Sequence, residues 1–457
     1  MSSPLARQAP DSVVLRAGVR GVASARVTRL STGRRVVEVR VNPVQRRGAL
    51  SAEDSATMAT GAAMALAKRL PLVLIISSSG VDMEGGIAAL HGWGATAKAL
   101  ADCSGVVPII AVAFGLAVSG PALLLGMADV VIMTGSAVAY VSGPAAVAEL
   151  TGLQLGPTEL GGSGVHSRMS GLAALVAEDL PGALDLVGTV LAYLPDHLDT
   201  VAPRVAYDDP GDRPTPELSD LLPPTDTGSY DIRRVISAIA DDGELLELRG
   251  AWAPQLVTAL IRVEGVATGV VANQPQSMAG TLDIAASQKG AGFVSMCDTF
   301  NLPIVTLVDT PGFMPGKDLE WRGMIRHGAQ LCFAYAEASV PRVCLVVRKA
   351  FGGAYIVMDS KGMGNDICLA WPAAQVAVMG AEGAVQILHR RADAPTQAAL
   401  AQEYRVEYLN PYLAAERGFV DEVIDPVDTR RAVAGALRLL DGKRERLARR
   451  KHGNGPL

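Results

Sequence analysis

The residues of this chain whose types and spacing could support chemistry are small residues that follow apolar runs. Ser119 and Gly120 end one such run, and Gly353 and Ala354 follow another. A buried strand that ends in small residues and opens a helix exposes backbone N–H groups at the positive end of the helix dipole, where an anion is stabilised. Two such turns could direct two amides at one oxygen and form an oxyanion hole. We expect one hole from residues 79–81 with 119–120 and another from 312–313 with 353–354, so the candidate residues are Gly80, Ser119, Gly120, Gly312, Gly353 and Ala354.

Other catalytic and metal-binding patterns are missing from the sequence. It contains no GxSxG, HExxH or phosphate-loop motif and no clean GxGxxG. The histidines show no ligand spacing and are expected to be structural: His91, His166, His197, His327, His389 and His452. Five single cysteines without CxxC spacing argue against a zinc ribbon or a disulfide framework, so we expect no metal and a reducing, cytoplasmic setting. The alternative for the glycines is a role in turns and close helix packing alone, but their recurrence in both halves favours function.

The elements that must position the turns include one long uncharged stretch. Residues 106–127 carry no charged side chain, a length that can indicate a membrane span. Pro108, Gly115 and Pro121 interrupt the stretch. It therefore predicts a strand buried on both faces, a glycine turn and a buried helix with Pro121 in its first turn, in preference to a membrane segment.

The two halves of the chain repeat the same landmarks. Pro71 and Pro303 open apolar runs 232 residues apart, and Pro108 and Pro341 open a second pair 233 residues apart. The segment 201–229 between the halves is rich in Pro and Asp and has no periodicity. The sequence therefore predicts two related α/β domains, which we place at residues 1–225 and 226–457.

Composition excludes several classes of protein. The chain of 457 residues is 49% hydrophobic, and its net charge is only -5, which argues against disorder and against a nucleic-acid partner. The first ten residues contain no apolar segment, so no secretory signal is expected.

The second half resembles a known family. VANQPQSMAGTLDIAASQKGAGF, DTPGFMPG, RKAFGGAYIVMDSKGMGND and LAWPAAQVAVMG are similar to the carboxyltransferase β-subunits of biotin-dependent acyl-CoA carboxylases, in the propionyl-/acetyl-CoA branch. The resemblance covers nearly all of residues 230–457, and the first half matches more loosely through RLPLV, SGVVPIIAV and ELGGSGVHSRMSG. It implies an α/β fold of two tandem crotonase-like domains, each a ββα superhelix. The first domain would bind acyl-CoA and the second would receive carboxybiotin.

The resemblance also implies a mechanism that uses no protein acid or base. Carboxybiotin releases CO2, the biotin ureido anion removes the α-proton of the thioester, and the enolate captures CO2. Two developing oxyanions would explain two oxyanion holes. By motif, Gly353 and Ala354 would supply the amides of the second domain, and Ile356 would influence the choice of acyl chain as an apolar wall. The remaining residues on the biotin side would be Phe313, Gly352 and Tyr355.

The implied partners follow from modules that the sequence lacks. It contains no AMKM-type biotinylation motif and no Gly-rich ATP-binding module. Carboxybiotin would therefore come from a separate α-subunit that carries biotin carboxylase and biotin carrier domains. The family implies a homo- or hetero-hexamer, and neither nucleic acid nor membrane is an expected partner.

The first half departs from the family pattern at two turns. Relatives have the sequence SGGAR where this chain has residues 78–82, so Asp82 replaces an Arg and brings an acid toward the polyanionic CoA. Relatives have the sequence AGGAAY where this chain has residues 118–123, which include Ser119 and Pro121. Two alternatives remain open for this reason. The chain could be a non-catalytic or regulatory β-subunit paralogue in a mixed hexamer, or a subunit of a biotin-dependent decarboxylase or transcarboxylase.

Overall fold

The computed structural model describes residues 12–18, 21–225, 227–445, 448 and 453–456. It divides into two compact units, residues 1–201 and 202–457. Residues 202–225 thus belong to the second unit, where the Thr215 hydroxyl donates to the Pro426 carbonyl at 2.8 Å. The described residues do not include His452, which was expected to be structural, or Asp226, where the second domain was expected to begin. They also do not include the first ten residues, in which no secretory signal was expected.

The first unit is built on an eight-stranded sheet. Its strands are β1 (Val13–Ala17), β2 (Ala23–Arg29), β3 (Arg35–Val41), β4 (Leu72–Ser78), β5 (Ile109–Val118), β6 (Val130–Thr134), β7 (Val138–Tyr140) and β8 (Leu175–Ala177). The sheet order is β1-β2-β3-β4-β5-β6-β8, with β7 beside β5. The helices are α1 (Ala52–Lys68), α2 (Gly86–Cys103), α3 (Gly120–Leu125), α4 (Pro144–Thr151), α5 (Pro157–Gly161), α6 (Ser163–Val165) and α7 (Leu180–Leu191).

The second unit repeats this plan. Its strands are β9 (Leu245–Glu247), β10 (Leu256–Val263), β11 (Val266–Asn273), β12 (Ile304–Thr310), β13 (Arg342–Phe351), β14 (Ile367–Ala370), β15 (Gln375–Ala377) and β16 (Glu422–Val423), in the order β16-β14-β13-β12-β11-β10-β9 with β15 beside β13. The helices are α8 (Arg233–Ile239), α9 (Ile284–Thr299), α10 (Lys317–Trp321), α11 (Met324–Glu337), α12 (Gly352–Val357), α13 (Ala381–Leu388), α14 (Ala394–Tyr408), α15 (Pro411–Glu416) and α16 (Thr429–Leu439). The predicted repeat is confirmed, because β4, β5 and α3 correspond to β12, β13 and α12.

The sequence pattern of the central strands explains their place in the sheet. Every residue of β4 and of β12 is buried, as expected for parallel strands covered on both faces. Both strands pair in parallel with the next strand along the sheet, β5 and β13 respectively. The carboxyl ends of these strands therefore lie side by side in each unit, and the small-residue turns follow directly from them.

The long uncharged stretch forms the predicted strand, turn and helix. β5 ends at Val118, and α3 begins at Gly120 with Pro121 in its first turn. No helix in the part of the chain that the structure describes is both long enough and apolar enough to cross a bilayer.

Helix α9 is tied to a preceding loop by one buried lysine. Lys289 is 3% exposed, and its Nζ donates to the carbonyls of Arg249 and Trp252 at 2.9 Å and of Ala253 at 3.3 Å. Burial lowers the pKa of this ammonium group to about 7. The lysine thus adds a side-chain donor to three carbonyls of this loop, two of which, those of Arg249 and Ala253, also accept from backbone amides of the loop.

Candidate active site

The first turn of the second unit follows β12. The Leu282 amide donates to the Gly312 carbonyl at 3.2 Å, and the Met314 amide donates to the Leu282 carbonyl at 2.8 Å. In this parallel bridge the amide of Phe313 points away from Leu282. Gly312 has φ +147°, a conformation that residues with a Cβ rarely adopt, so the glycine is required by the turn. Its own amide lies 3.4 Å from the Thr310 hydroxyl, which leaves the Phe313 amide as the better placed donor of this turn.

The second turn joins β13 to α12. Gly352 has φ +60° and starts the helix, so Gly353 and Ala354 lie in its first turn, where backbone amides have no acceptor within the helix. A Cβ built on Gly353 would lie 3.7 Å from the Phe313 ring. The structure therefore brings the two predicted turns of this unit into contact.

An open apolar groove of about 730 Å³ adjoins these turns. Ile356 lies in it and is 44% exposed, and Glu320 is its one charged lining residue. The lining residues are Phe313, Glu320, Met324, Ile325, Gly328, Ala329, Cys332, Phe333, Ala336, Gly353, Ile356, Val357 and Pro456. Tyr355 instead points into the protein, where burial raises the pKa of its phenol. The groove thus places the Gly353 turn beside apolar walls.

The corresponding turn of the first unit differs in its backbone donors. Strand register makes Gly120 equivalent to Gly353 and Pro121 equivalent to Ala354. Proline has no N–H, so the position that carries a donor in the second unit carries none here. The Ser119 amide already donates to the Tyr140 carbonyl at 3.0 Å. Of the residues expected to donate at this turn, Gly120 is therefore the one whose amide is left for a ligand.

Two further features constrain the first-unit turn. Ser119 has φ +60°, a conformation that costs a non-glycine residue energy and that Gly352 adopts without strain in the second unit. A Cβ built on Gly120 would lie 3.1 Å from the Trp93 indole, so a larger residue here would have to displace the indole by a few tenths of an ångström. The indole packs directly over the turn.

The acidic substitution at Asp82 is compensated within the first unit. Arg46 Nη1 lies 2.7 Å from Asp82 Oδ2, and Arg46 Nη2 lies 2.8 Å from Asp54 Oδ2. Gly80, at the same turn, has φ +117°, and its amide lies 3.2 Å from the Ser78 hydroxyl. Arg46 could not be identified from the sequence, because a spacing of 36 residues carries no pattern that pairs it with Asp82.

His166 and His327 have ordinary structural contacts. His166 Nε2 lies 2.7 Å from the Ala139 carbonyl, and its Nδ1 lies 2.8 Å from the Ser170 hydroxyl. His327 Nδ1 lies 3.2 Å from the Gln288 amide nitrogen. Among the described residues, no three His, Cys, Asp or Glu side chains are grouped as a metal site requires.

The architecture and the turns define a class of protein. The chain has a tandem crotonase-like fold, and it superimposes on a crystal structure of transcarboxylase 12S with a TM-score of 0.93 and 39% identity, over 95% of this chain and 85% of that one. Residues 30–455 match the sequence model of the carboxyl transferase domain. The chain therefore belongs to the carboxyl transferase family, as the sequence analysis predicted.

Relatives with different named activities share this family. The chain is 44% identical to the propionyl-CoA carboxylase beta chain of Saccharopolyspora erythraea, over 86% of this chain and 76% of the relative. It is 39% identical to the methylmalonyl-CoA decarboxylase subunit alpha of Propionigenium modestum, over 85% and 76%. The transcarboxylase 12S structure is described as a hexamer with methylmalonyl-coenzyme A and methylmalonic acid bound.

Proposed function

We propose that this carboxyltransferase is the carboxyl-transferring component of an acyl-CoA carboxylase, with acetyl-CoA or propionyl-CoA as substrate and a biotin carrier as carboxyl donor. The observation that carries the proposal is the groove of the second unit, where the Gly353–Ala354 turn meets Phe313 at one apolar wall. A reaction that develops negative charge on an oxygen needs amide donors beside that oxygen, and it needs no side-chain acid or base.

The residues of the groove fit a bicyclic apolar cofactor with one polar edge. Phe313 would cover an apolar face of the cofactor, Ile356 would border the acyl chain, and the amides of Gly353 and Ala354 would donate to the cofactor's oxygen. When bound, carboxybiotin supplies both the carboxyl group and the ureido nitrogen that accepts the α-proton. The amides stabilise the oxygen that gains charge, and the apolar side chains keep water from the reacting carbons.

The first unit is proposed as the acyl-CoA side. The Gly120 amide would donate to the thioester oxygen as the enolate forms. The Arg46 guanidinium neutralises Asp82, so the carboxylate that replaces an arginine of the relatives repels CoA phosphates less than a free carboxylate would. A separate α-subunit would deliver carboxybiotin, and we propose a cytoplasmic hexamer.

One alternative has a specific observation in its favour. Pro121 and the strained Ser119 reduce the donors of the first-unit turn, as expected for a regulatory paralogue that assembles with an active β-subunit. Carboxylation of an acyl-CoA by oligomers that contain this chain as their sole β-subunit would reject that alternative.

The test is a reconstituted carboxylation assay. The purified chain is combined with a biotin carboxylase and carrier subunit captured through its biotin, with ATP and bicarbonate, and acetyl-, propionyl- and butyryl-CoA are supplied in turn. We expect acyl-CoA-dependent fixation of bicarbonate that is lost when the carrier is left unbiotinylated. Failure with every acyl-CoA, although the α-subunit still carboxylates its biotin, would contradict the proposal. Formation of CO2 from malonyl- or methylmalonyl-CoA without net carboxylation would instead indicate a decarboxylase.

A further inference from the structure

A buried ion pair lies where the two turns of the second unit diverge. Asp309 is 1% exposed, and its Oδ2 accepts from Arg348 Nε at 3.1 Å and from the Tyr230 hydroxyl at 2.8 Å. Its Oδ1 accepts from the Lys349 amide at 3.1 Å. Arg348 Nη1 also donates to the Gly228 carbonyl at 2.8 Å. One carboxylate thus joins β12, β13 and the segment before α8.

The ion pair occupies a bulge between β12 and β13. Val308 lies opposite Val346, but Thr310 lies opposite Ala350, so residues 347–349 of β13 face Asp309 alone. The Asp309 carboxylate accepts a hydrogen bond from the Lys349 amide, which lies outside the regular strand ladder because of the bulge. Gly312 and Gly353 each follow within a few residues. The bulge therefore sets the distance between the two turns that carry the candidate amides.

The first unit forms the same bulge without charges. Ile76 lies opposite Ala113 and Ser78 lies opposite Ala117, which makes Ser77 and Gly115 the equivalents of Asp309 and Arg348. A Cβ built on Gly115, which has φ +158°, would lie 2.5 Å from Ser77 Oγ, so a side chain here would strain the backbone and displace the Ser77 hydroxyl. Serine and glycine are therefore sufficient for the backbone shape. A buried ion pair is by itself weak evidence for a role in stability, so its presence in the second unit needs another reason.

We propose that Asp309 and Arg348 are positioning residues that hold the Phe313 turn and the Gly353–Ala354 turn at a fixed separation. This inference rests on the proposed function, in which both turns border the reacting atoms. Neither side chain touches the groove, and both act through the backbone. Charge-assisted hydrogen bonds to three chain segments resist a relative movement of the strands more strongly than the Ser77 and Gly115 contact does.

The experiment transplants the pair of the first unit into the second. The double variant Asp309→Ser/Arg348→Gly is compared with the wild-type holoenzyme in the carboxylation assay and by hydrogen exchange. We expect kcat to fall about 10- to 100-fold, the scale expected for small misplacements of catalytic groups, with the KM for propionyl-CoA unchanged. Amides in residues 310–314 and 352–355 should exchange faster. A double variant with wild-type kcat and wild-type exchange at these residues would overturn the proposal.

Control variants separate positioning from stability. Asp241→Asn breaks another buried pair of the second unit, the one with Arg430, and should lower Tm without lowering kcat at temperatures where the protein is folded. If the double variant does not fold, Arg348→Lys decides, because it keeps the charge but loses the fork that reaches both Asp309 and Gly228. We expect a smaller fall in kcat with faster exchange at both turns, and an unchanged kcat and exchange would contradict the role. Inactivity of the wild type would count against the proposed function, and the exchange data would still test the positioning role.

Discussion

At the scale of single residues, one backbone N–H distinguishes the two halves. Ala354 and Pro121 occupy equivalent positions after equivalent strands, and only Ala354 has an amide to donate. The variant Ala354→Pro should therefore abolish the donor while keeping a residue type that the equivalent turn already accepts. We expect kcat to fall about 100- to 1,000-fold, the usual effect of losing one oxyanion donor.

The reciprocal variant provides the control. Pro121→Ala restores an N–H at the first-unit turn and should raise kcat, or leave it unchanged if the Gly120 amide is sufficient. Both variants are measured in the reconstituted carboxylation assay, with circular dichroism to confirm folding. A folded Ala354→Pro enzyme with wild-type kcat would show that this amide is not part of the site.

Ile356 is the residue whose exchange tests the acyl-chain wall. The side chain is 44% exposed in the groove, so it contacts whatever occupies that surface. A carboxylate at position 356 would contact the apolar chain of a longer acyl group and would have no hydrogen-bond partner in it. We expect Ile356→Asp to lower the ratio of kcat/KM for butyryl-CoA to that for acetyl-CoA about 10-fold or more. Ile325, another apolar residue of the groove, offers a matched exchange to Asp, and unchanged selectivity in the Ile356 variant would reject the assignment.

The sequence could identify part of this chemistry at the residue scale. The GGAY motif indicated Gly353 and Ala354 through the recurrence of small-residue turns in both halves and through its resemblance to the family. Two features could not be predicted, because each depends on contacts between segments distant in the chain. They are the Arg46–Asp82 ion pair and the hydrogen bond from the Ser119 amide to the Tyr140 carbonyl.

At the scale of elements, Lys289 connects α9 to the loop 249–253. Replacing it with methionine would remove the hydrogen bonds from the ammonium group to three loop carbonyls, and a typical hydrogen bond contributes about 0.5–1.5 kcal/mol to stability. We therefore expect Lys289→Met to lower the free energy of unfolding of the second unit, measured by urea denaturation. Lys98, a surface lysine paired with Asp102, is the matched control and should have little effect when changed to methionine.

The same lysine predicts a pH dependence. Burial lowers its pKa from 10.5 to about 7, so between these values the unfolded chain binds more protons than the folded chain. Stability should therefore rise with pH from about 7 toward 10.5, and this contribution should be absent from Lys289→Met. Parallel pH profiles of wild type and variant would show that the folded lysine keeps an ordinary pKa.

Elements could largely be located from the sequence, but their irregularities could not. Buried strands such as β4 and β12 follow from unbroken apolar runs. The bulge opposite Asp309 leaves no such signal, because two extra residues in β13 change the pairing and not the composition.

At the scale of the whole molecule, the five cysteines offer a test of the fold. Cys103, Cys297, Cys344 and Cys368 are buried, and burial raises the pKa of the Cys103 thiol to about 11. Cys332 is partly exposed and lines the groove. Because thiolates react and buried thiols do not, we expect maleimide to label the native protein at Cys332 alone and the denatured protein at all five cysteines.

The control for this labelling is Cys332→Ser, which should not react in the native state. Labelling of two or more sites in native wild-type protein would contradict the burial of the other four. Protection of Cys332 by added biotin would also support the groove as the cofactor side.

The internal repeat is visible at this scale from sequence alone, through proline landmarks at nearly constant offsets. The boundary between units was harder to place, because the irregular segment 202–225 packs with the second unit through side-chain contacts such as that of Thr215. An irregular segment of sequence indicates a connection between two units, but it does not indicate which of the two units the segment packs against.

The position of Trp93 over Gly120 allows the first unit to be followed by tryptophan fluorescence. It is the one tryptophan among residues 1–201, and the other three lie in the second unit. With Trp252, Trp321 and Trp371 replaced by phenylalanine, the remaining emission would come from an indole in contact with the turn proposed to receive the thioester. Ligand arrival at that turn could then be followed as a change in fluorescence, without any coupled reaction.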